Sequence, residues 1–256
     1  MTKELNITED TVELINQALE VVYHDEYLVA INKPPGLLVH RSWIASGARQ
    51  FAMQMLRDQL GQYVYPVHRL DRPTSGILLF ALDPDTARLV SEQFANRDVM
   101  KMYHAVVRGF VEEHGQIDYA LQEKLDKIAD KKAQADKPAQ SAVTDFMSLQ
   151  RVELPFKVST RHDTSRYSLV QLSPKTGRKH QLRRHMAHIR HPIIGDTNHG
   201  DGRQNKFFRD HFGIKRLMLA ATGLDFTHPV SGAEVNLRVD MPAEFLLPFE
   251  SPAEKA

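Results

Sequence analysis

The chain has 256 residues, enough for one large domain or two small ones, and 42% of them are apolar, which supports a hydrophobic core. Its 33 lysines and arginines nearly balance its 32 acidic residues, so the net charge of +1 gives almost no hint of a polyanionic partner. The absence of cysteine excludes disulfides, thiolate metal sites and cysteine nucleophiles. No signal-peptide pattern and no membrane-length apolar run occur, so we expect a cytoplasmic protein without membrane association.

Residues 1–18 are polar and acidic and are predicted to be an extension. The rest of the first half of the chain is predicted to contain both strands and helices. Apolar periodicity and turn residues predict its elements. In chain order these are a hairpin at 20–31, a helix at 48–60, a buried strand at 77–82, a helix at 86–96 with an N-cap at 83–85, and a strand at 102–110.

In the second half of the chain the pattern predicts mostly strands, which lie at residues 143–149, 167–172, 217–226 and 235–239. Because strands outnumber helices and do not alternate with them, we predict an α+β domain over residues 19–250. Its central β-sheet is mostly antiparallel (mixed) and is flanked by helices and loops. Residues 124–140 carry five lysines and few apolar residues, which is typical of a solvated insertion that orders on a partner.

The segment most informative about function is His68–Gly76, a turn-rich stretch just before an apolar run. Within it, Asp71 lies between Arg69 and Arg72. Cationic neighbours favour the ionised form of a carboxylate, and an ionised, oriented carboxylate can act as a nucleophile or a base. Taken alone, the segment is more typical of a turn whose aspartate accepts backbone hydrogen bonds, and short motifs are unreliable.

A second segment, residues 175–191, holds six lysines or arginines, four histidines and no acid. Such a local basic patch needs a counter-charge, and phosphate is the commonest one. The turn at 175–177 is followed by a predicted helix at 180–189, and a helix N-terminus also favours phosphate. The alternative is a solvated basic helix, although like charges one turn apart repel each other.

Two adjacent arginines point in different directions on the predicted helix. Leu182, Met186 and Ile189 mark its buried face, and Arg183 lies beside that face while Arg184 points away from it. We therefore predict that Arg183 reaches inward and pairs with Asp71. A separation well beyond salt-bridge distance would show that the proposed site is wrong.

Other kinds of site have weaker support in the sequence. His185 and His188 are three residues apart on the predicted helix, but no third ligand accompanies them, so we expect no metal site. Glycine-rich nucleotide-binding motifs are absent. A glycoside hydrolase would need a second acid, and none is clearly placed for that role. A non-catalytic RNA-binding module remains an alternative.

Taken together, these segments resemble the RluA-type pseudouridine synthases. His68–Gly76 is similar to the family's catalytic-aspartate signature and Gly177–Met186 to its second signature, while 32–40 and 191–196 match flanking pieces in family order. Within the family the chain looks most like the branch that acts on tRNA. The segments that indicate this branch are 39–43, 124–131 and 195–205. Many relatives carry an S4-type RNA-binding domain, and we expect none here because the chain has no room for one.

The resemblance implies that the chain isomerises a specific uridine of tRNA to pseudouridine, in the stem of the T arm at position sixty-five, without a cofactor and as a monomer. Ribosomal RNA is the less favoured substrate. It further implies that Asp71 is catalytic, that Arg183 pairs with it, that Tyr103 stacks on the extruded uracil, and that Arg69 enters the helix as the base leaves. We expect additional RNA contacts from Arg72, Lys33, His40, Lys175, Arg178, Lys179 and His180.

Overall fold

The computed structural model describes residues 17–40, 50–122 and 138–250 of the chain. Most of the predicted N-terminal extension and of the lysine-rich insertion lies outside these residues. Within them the chain forms one mixed β-sheet with helices on both faces, which confirms the predicted α+β class. No helix in these ranges is both long and apolar enough to span a membrane.

The strands and helices have the following bounds in chain order. The first half contains β1 (Val21–His24), β2 (Leu28–Lys33), α1 (Ala52–Leu60), β3 (Tyr65–Pro66), β4 (Ser75–Ala81), α2 (Pro84–Asn96), β5 (Met100–Arg108) and β6 (His114–Asp118). The second half contains β7 (Val143–Leu154), β8 (Ser165–Pro174), α3 (Gln181–His188), α4 (Gly202–Phe212), β9 (Leu219–Thr227), β10 (Glu234–Arg238) and a short 3-10 turn (Ala243–Phe245).

The sheet follows the order β1-β2-β4-β9-β5-β8-β7-β6, with β3 added to β4 and β10 added to β9. Among the described strands, only β4 and β9 pair in parallel. Strand β4 is buried on both faces, and it is apolar from Ile77 to Ala81. Leu78 and Phe80 pack in one cluster with Leu56 of α1, whereas Ile77 packs in another with Val90 of α2.

Several predicted elements are present with shifted ends. The expected N-cap is formed by Asp83, whose side chain accepts a hydrogen bond from the Thr86 amide at 2.9 Å. Strands β6 and β3 and helix α4 were not predicted. In β6 only Ile117 is buried, so the strand has no apolar pattern. Helix α4 begins at Gly202 after the N-cap Asp201, whose side chain accepts a hydrogen bond from the Arg203 amide, but its first turn has no apolar residue to begin a helical pattern.

One glycine lets β4 approach β9 at the point where Asp71's loop enters the sheet. Gly76 has φ +106°, a conformation that side chains other than glycine's rarely adopt. A Cβ atom added there would lie 2.0 Å from the carbonyl oxygen of Ala221. Because that oxygen belongs to backbone in the middle of the sheet, it cannot move aside cheaply.

We predict that Gly76→Ala lowers the free energy of unfolding by about 3 kcal/mol or more, because strain and backbone overlap add. Gly177→Ala is the matched control, since its added Cβ would meet nothing within 4 Å. Urea unfolding of the two variants and the wild type measures the difference. Equal midpoints for Gly76→Ala and Gly177→Ala would contradict the prediction.

Candidate active site

Asp71 lies in the loop that leads into β4, and two other segments hold this loop. Its carbonyl oxygen accepts a hydrogen bond from the Thr74 amide at 3.0 Å, which closes a turn. The Gly36 amide donates to the carbonyl of Arg72 at 2.9 Å, and Arg72 Nε donates back to the carbonyl of Gly36 at 2.9 Å. The loop is therefore fixed, while the Asp71 side chain stays 21% exposed.

Lys33 ties the same two loops together from inside the protein. Its Nζ donates to the carbonyls of Pro34 and Leu37, both at 2.9 Å, and to the carbonyl of Arg72 at 3.2 Å. Burial, with the nearby charge of Arg216, lowers the pKa of Lys33 to about 7. The expectation that Lys33 contacts RNA is wrong, because the residue is fully buried.

Helix α3 brings Arg183 inward, as its position beside the apolar face predicts. Arg183 Nε and Nη2 each donate to one carboxylate oxygen of Asp196 at 2.7 Å. Asp196 also accepts hydrogen bonds from the amides of Asn198 and His199, at 2.8 and 3.0 Å. Burial acts to raise the pKa of Asp196, but these hydrogen bonds hold it below its ordinary value.

The remaining terminal nitrogen of Arg183 points at Asp71. Its Nη1 lies 3.3 Å from Asp71 Oδ2, so the predicted pair is present. The two arginines beside Asp71 in the sequence, Arg69 and Arg72, are exposed instead. Within the described part of the chain, the ion-pair partners of Asp71 are Arg183 and, at 3.9 Å, the ring of His180. The cation that orients the carboxylate is therefore distant in sequence.

Tyr103 lies in the middle of the sheet, close to Asp71. Its strand β5 pairs with both β8 and β9, where Tyr103 faces Leu172 and Ala221. Burial, and then the charge of Asp71, raises the pKa of the Tyr103 phenol, so the side chain stays protonated. It presents a neutral aromatic group beside the carboxylate.

His180 belongs to the site rather than to the outer surface. It precedes α3 and has a left-handed backbone conformation, with φ 56°. Its Nδ1 lies 3.0 Å from Nε2 of His199, and its Nε2 is the ring atom that faces Asp71. Asp196, through Arg183 and the amide of His199, therefore fixes both groups that surround Asp71.

The basic segment after β8 obtains part of its counter-charge from the protein itself. Lys175 forms a 2.8 Å ion pair with Asp145, and Arg178 Nε donates to the carbonyl of Ser141 at 3.2 Å. Lys179 and His40 are exposed. The surface available to a phosphate backbone is thus smaller than the sequence suggested.

The histidine pair considered as a metal site has structural contacts instead. His185 is buried between the hydroxyl of Thr144 and the carbonyl of Tyr119, both at 3.0 Å. His188 stacks on the ring of Tyr119 with centroids 3.7 Å apart. In residues 17–40, 50–122 and 138–250 no three histidine or acidic side chains cluster as metal ligands.

Sequence reasoning missed two residues that position the site. Asp196 was included only as part of a flanking segment, and its role depends on contacts that no local pattern reveals. Arg216 donates to the hydroxyl of Ser75, beside the Asp71 loop, and to Glu244 at 3.1 Å. An isolated aspartate after a glycine is a weak signal, and we know of no sequence signal for Arg216.

We predict that Lys33→Met lowers the free energy of unfolding by about 1–3 kcal/mol, because the carbonyls of Pro34, Leu37 and Arg72 each lose a hydrogen bond from the buried Nζ. Lys179→Met makes the same chemical change at an exposed lysine and should shift stability by less than about 0.5 kcal/mol. Urea unfolding at one pH compares the variants. If the two lysines behaved alike, Lys33 would not be the internal tie described above.

Comparison with known proteins agrees with this geometry. A family model for RNA pseudouridylate synthase matches residues 27–188. The tRNA pseudouridine synthase C of Vibrio vulnificus (strain CMCP6) is 57% identical over 223 residues, 87% of this chain and 91% of that protein. The protein of the same name from Yersinia pestis is 57% identical over 231 residues, 90% of each.

Solved structures give the same result for the fold. Human RNA Pseudouridylate Synthase Domain Containing 4 superposes with a TM-score of 0.67 at 27% identity, covering 91% of this chain and 94% of that one. Human RNA Pseudouridylate Synthase Domain Containing 1 has the same TM-score at 25% identity, covering 87% and 83%. The chain belongs to the RNA pseudouridylate synthase family, whose enzymes are isomerases.

Proposed function

We propose that the protein isomerises one uridine of tRNA to pseudouridine, and that this uridine lies in the stem of the T arm, at position sixty-five. The observation that carries the reaction is the accessible carboxylate of Asp71, held at 3.3 Å by the buried Arg183. The choice of tRNA follows the names of the relatives that are 57% identical over most of the chain.

The chemistry suits this set of side chains. Pseudouridine formation breaks the bond between N1 and C1′, turns the uracil, and joins C5 to C1′. Because the reaction has no redox change and no net hydrolysis, it does not call for a cofactor. What it needs is an anionic group near the ribose. Asp71 supplies that group, either by attacking the sugar or by removing a ribose proton. In either mechanism, Arg183 keeps the Asp71 carboxylate oriented toward the ribose.

A uridine in a stem must leave its helix before it can react. Extrusion costs about a few kcal/mol in lost stacking and pairing. Arg69 is exposed in the Asp71 loop, where it can enter the space that the base leaves. The ring of Tyr103 offers the extruded uracil an aromatic face next to Asp71. Together these contacts offset part of the cost.

Exposed basic side chains near the site suit the phosphate backbone of the tRNA. Arg72, Lys179 and His40 are exposed on the loops around Asp71 and α3. Each phosphate that such a residue neutralises releases counterions and makes binding weaken with added salt. These residues contribute affinity, whereas the position of the modified uridine depends on how the arm reaches Asp71.

We predict that the wild type releases tritium from tRNA labelled at uridine C5, and that Asp71→Asn does not, because an amide is neither a nucleophile nor a base here. Asp163→Asn is the control, since its side chain is 87% exposed and lies in a surface ion pair. Changing the uridine at position sixty-five to cytidine should remove the release by the wild type.

Three outcomes would contradict parts of the proposal. Release that persists after the change at position sixty-five would place the target elsewhere in the tRNA. Release from ribosomal RNA but from no tRNA would assign the other substrate. Binding of tRNA without release from either RNA would leave a non-catalytic RNA-binding protein.

A further inference from the structure

His180 combines backbone strain with a place beside the reacting carboxylate. Its φ of 56° is uncommon for a residue other than glycine. As the N-cap of α3 it makes no side-chain capping hydrogen bond, so its ring is not used to start the helix. Strained residues persist where their surroundings over-determine them, and they cluster at functional sites.

Gln181 holds the backbone that imposes this strain. Its side chain is buried and donates to the carbonyl of Val143 and the hydroxyl of Thr144, both at 3.0 Å. The same amide group accepts hydrogen bonds from the Arg178 backbone and from the hydroxyl of Thr176, at 3.0 and 2.7 Å. The turn before α3 is therefore rigid, and it directs the ring of His180 toward Asp71.

The two ring nitrogens of His180 have different environments. Nδ1 is hydrogen-bonded to His199 Nε2 at 3.0 Å. Nε2 lies 3.9 Å from Asp71 Oδ2, which is too long for a hydrogen bond. The contact with His199 can form in either direction, depending on the tautomer. In the tautomer in which Nδ1 carries the hydrogen and donates to His199, the lone pair of Nε2 faces the space beside Asp71.

The surroundings of the ring, burial first, favour its neutral form. Burial lowers the pKa of His180, the charge of Asp71 acts to raise it, and the neighbouring Arg183, His199 and Lys179 lower it again. The net direction is downward. Near neutral pH the imidazole therefore keeps a free lone pair.

The last step of the proposed isomerisation requires a base. Once C5 has bonded to C1′, C5 still carries its hydrogen, and the ring contains an N1=C6 double bond. Both routes open to Asp71 lead to this same intermediate. The hydrogen must leave before the uracil regains its conjugation, so a proton acceptor has to lie near C5.

Geometry limits the choice of acceptor. Asp71 must contact the sugar at C1′ or C2′, and C5 is bonded to C1′ at this point, so a group a few ångströms from Asp71 is within reach. Tyr103 stays protonated because burial and Asp71 raise its pKa, and Arg183 is a cation. Asp71 and His180 remain, and His180 has a nitrogen that no described group occupies as a hydrogen-bond partner.

We propose that Nε2 of His180 accepts the C5 proton in the last step, an inference that rests on the proposed function. The C5–H bond breaks, its proton moves to Nε2, and its electron pair forms the C5=C6 bond. The N1=C6 electron pair returns to N1, which takes a proton from water. His180 then releases its proton to solvent, so the overall reaction remains an isomerisation.

The test compares His180→Asn with the wild type in single-turnover formation of pseudouridine. Asparagine tolerates the left-handed conformation, so the turn should be kept; urea unfolding checks this. We expect the rate to fall by about 100-fold or more. Replacing the C5 hydrogen of the target uridine by deuterium should slow the variant more than the wild type, because removal of this atom becomes rate-limiting. His114→Gln, an exposed histidine on β6, is the control.

The outcomes separate this inference from the function on which it rests. A slow variant whose isotope effect equals that of the wild type would mean that His180 only positions Asp71, and the inference would be wrong. A wild-type rate in the variant would leave Asp71 itself as the base. A wild type that forms no pseudouridine in any tRNA would overturn the proposed function and this inference together.

Discussion

One guanidinium group joins two carboxylates from distant parts of the chain, and the site depends on it. The side chain of Arg183 is only 4% exposed, and that of Asp196 only 1%. Charges buried this deeply are tolerated only when their hydrogen bonds are satisfied. Asp196 accepts hydrogen bonds from Nε and Nη2 of Arg183, which fixes the orientation of the guanidinium. Its third nitrogen, Nη1, therefore points at Asp71.

The surrounding fold holds Asp71 and Arg183 in this arrangement. The Asp71 loop is tied to the loop after β2 by Lys33 and Gly36, and Gly76 allows β4 to lie against β9. Asp196 also holds the backbone of His199, so one buried acid determines the position of the arginine and of the histidine pair. Rigid support of this kind matters because a misplacement of about 1 Å can cost about a hundredfold in rate.

The sequence predicted the two partners of the central pair but not what holds them. Arg183 could be predicted because helical periodicity places it beside an apolar face, and Asp71 because its motif has a chemical role. Lys33 was expected to contact RNA. Lysine is seldom buried, but here three backbone carbonyls hold its Nζ inside the protein. Asp196 had only a weak local signal, since its function comes from tertiary contacts.

The central claim is that Asp196 acts through Arg183. Single-turnover rates of pseudouridine formation by Asp196→Asn, Arg183→Gln and the double variant test it most directly, with folding of each checked by urea. The account predicts that Asp196→Asn loses about a hundredfold, and that the double variant is no slower than Arg183→Gln. Losses that multiply in the double variant, or a wild-type rate in Asp196→Asn, would contradict it.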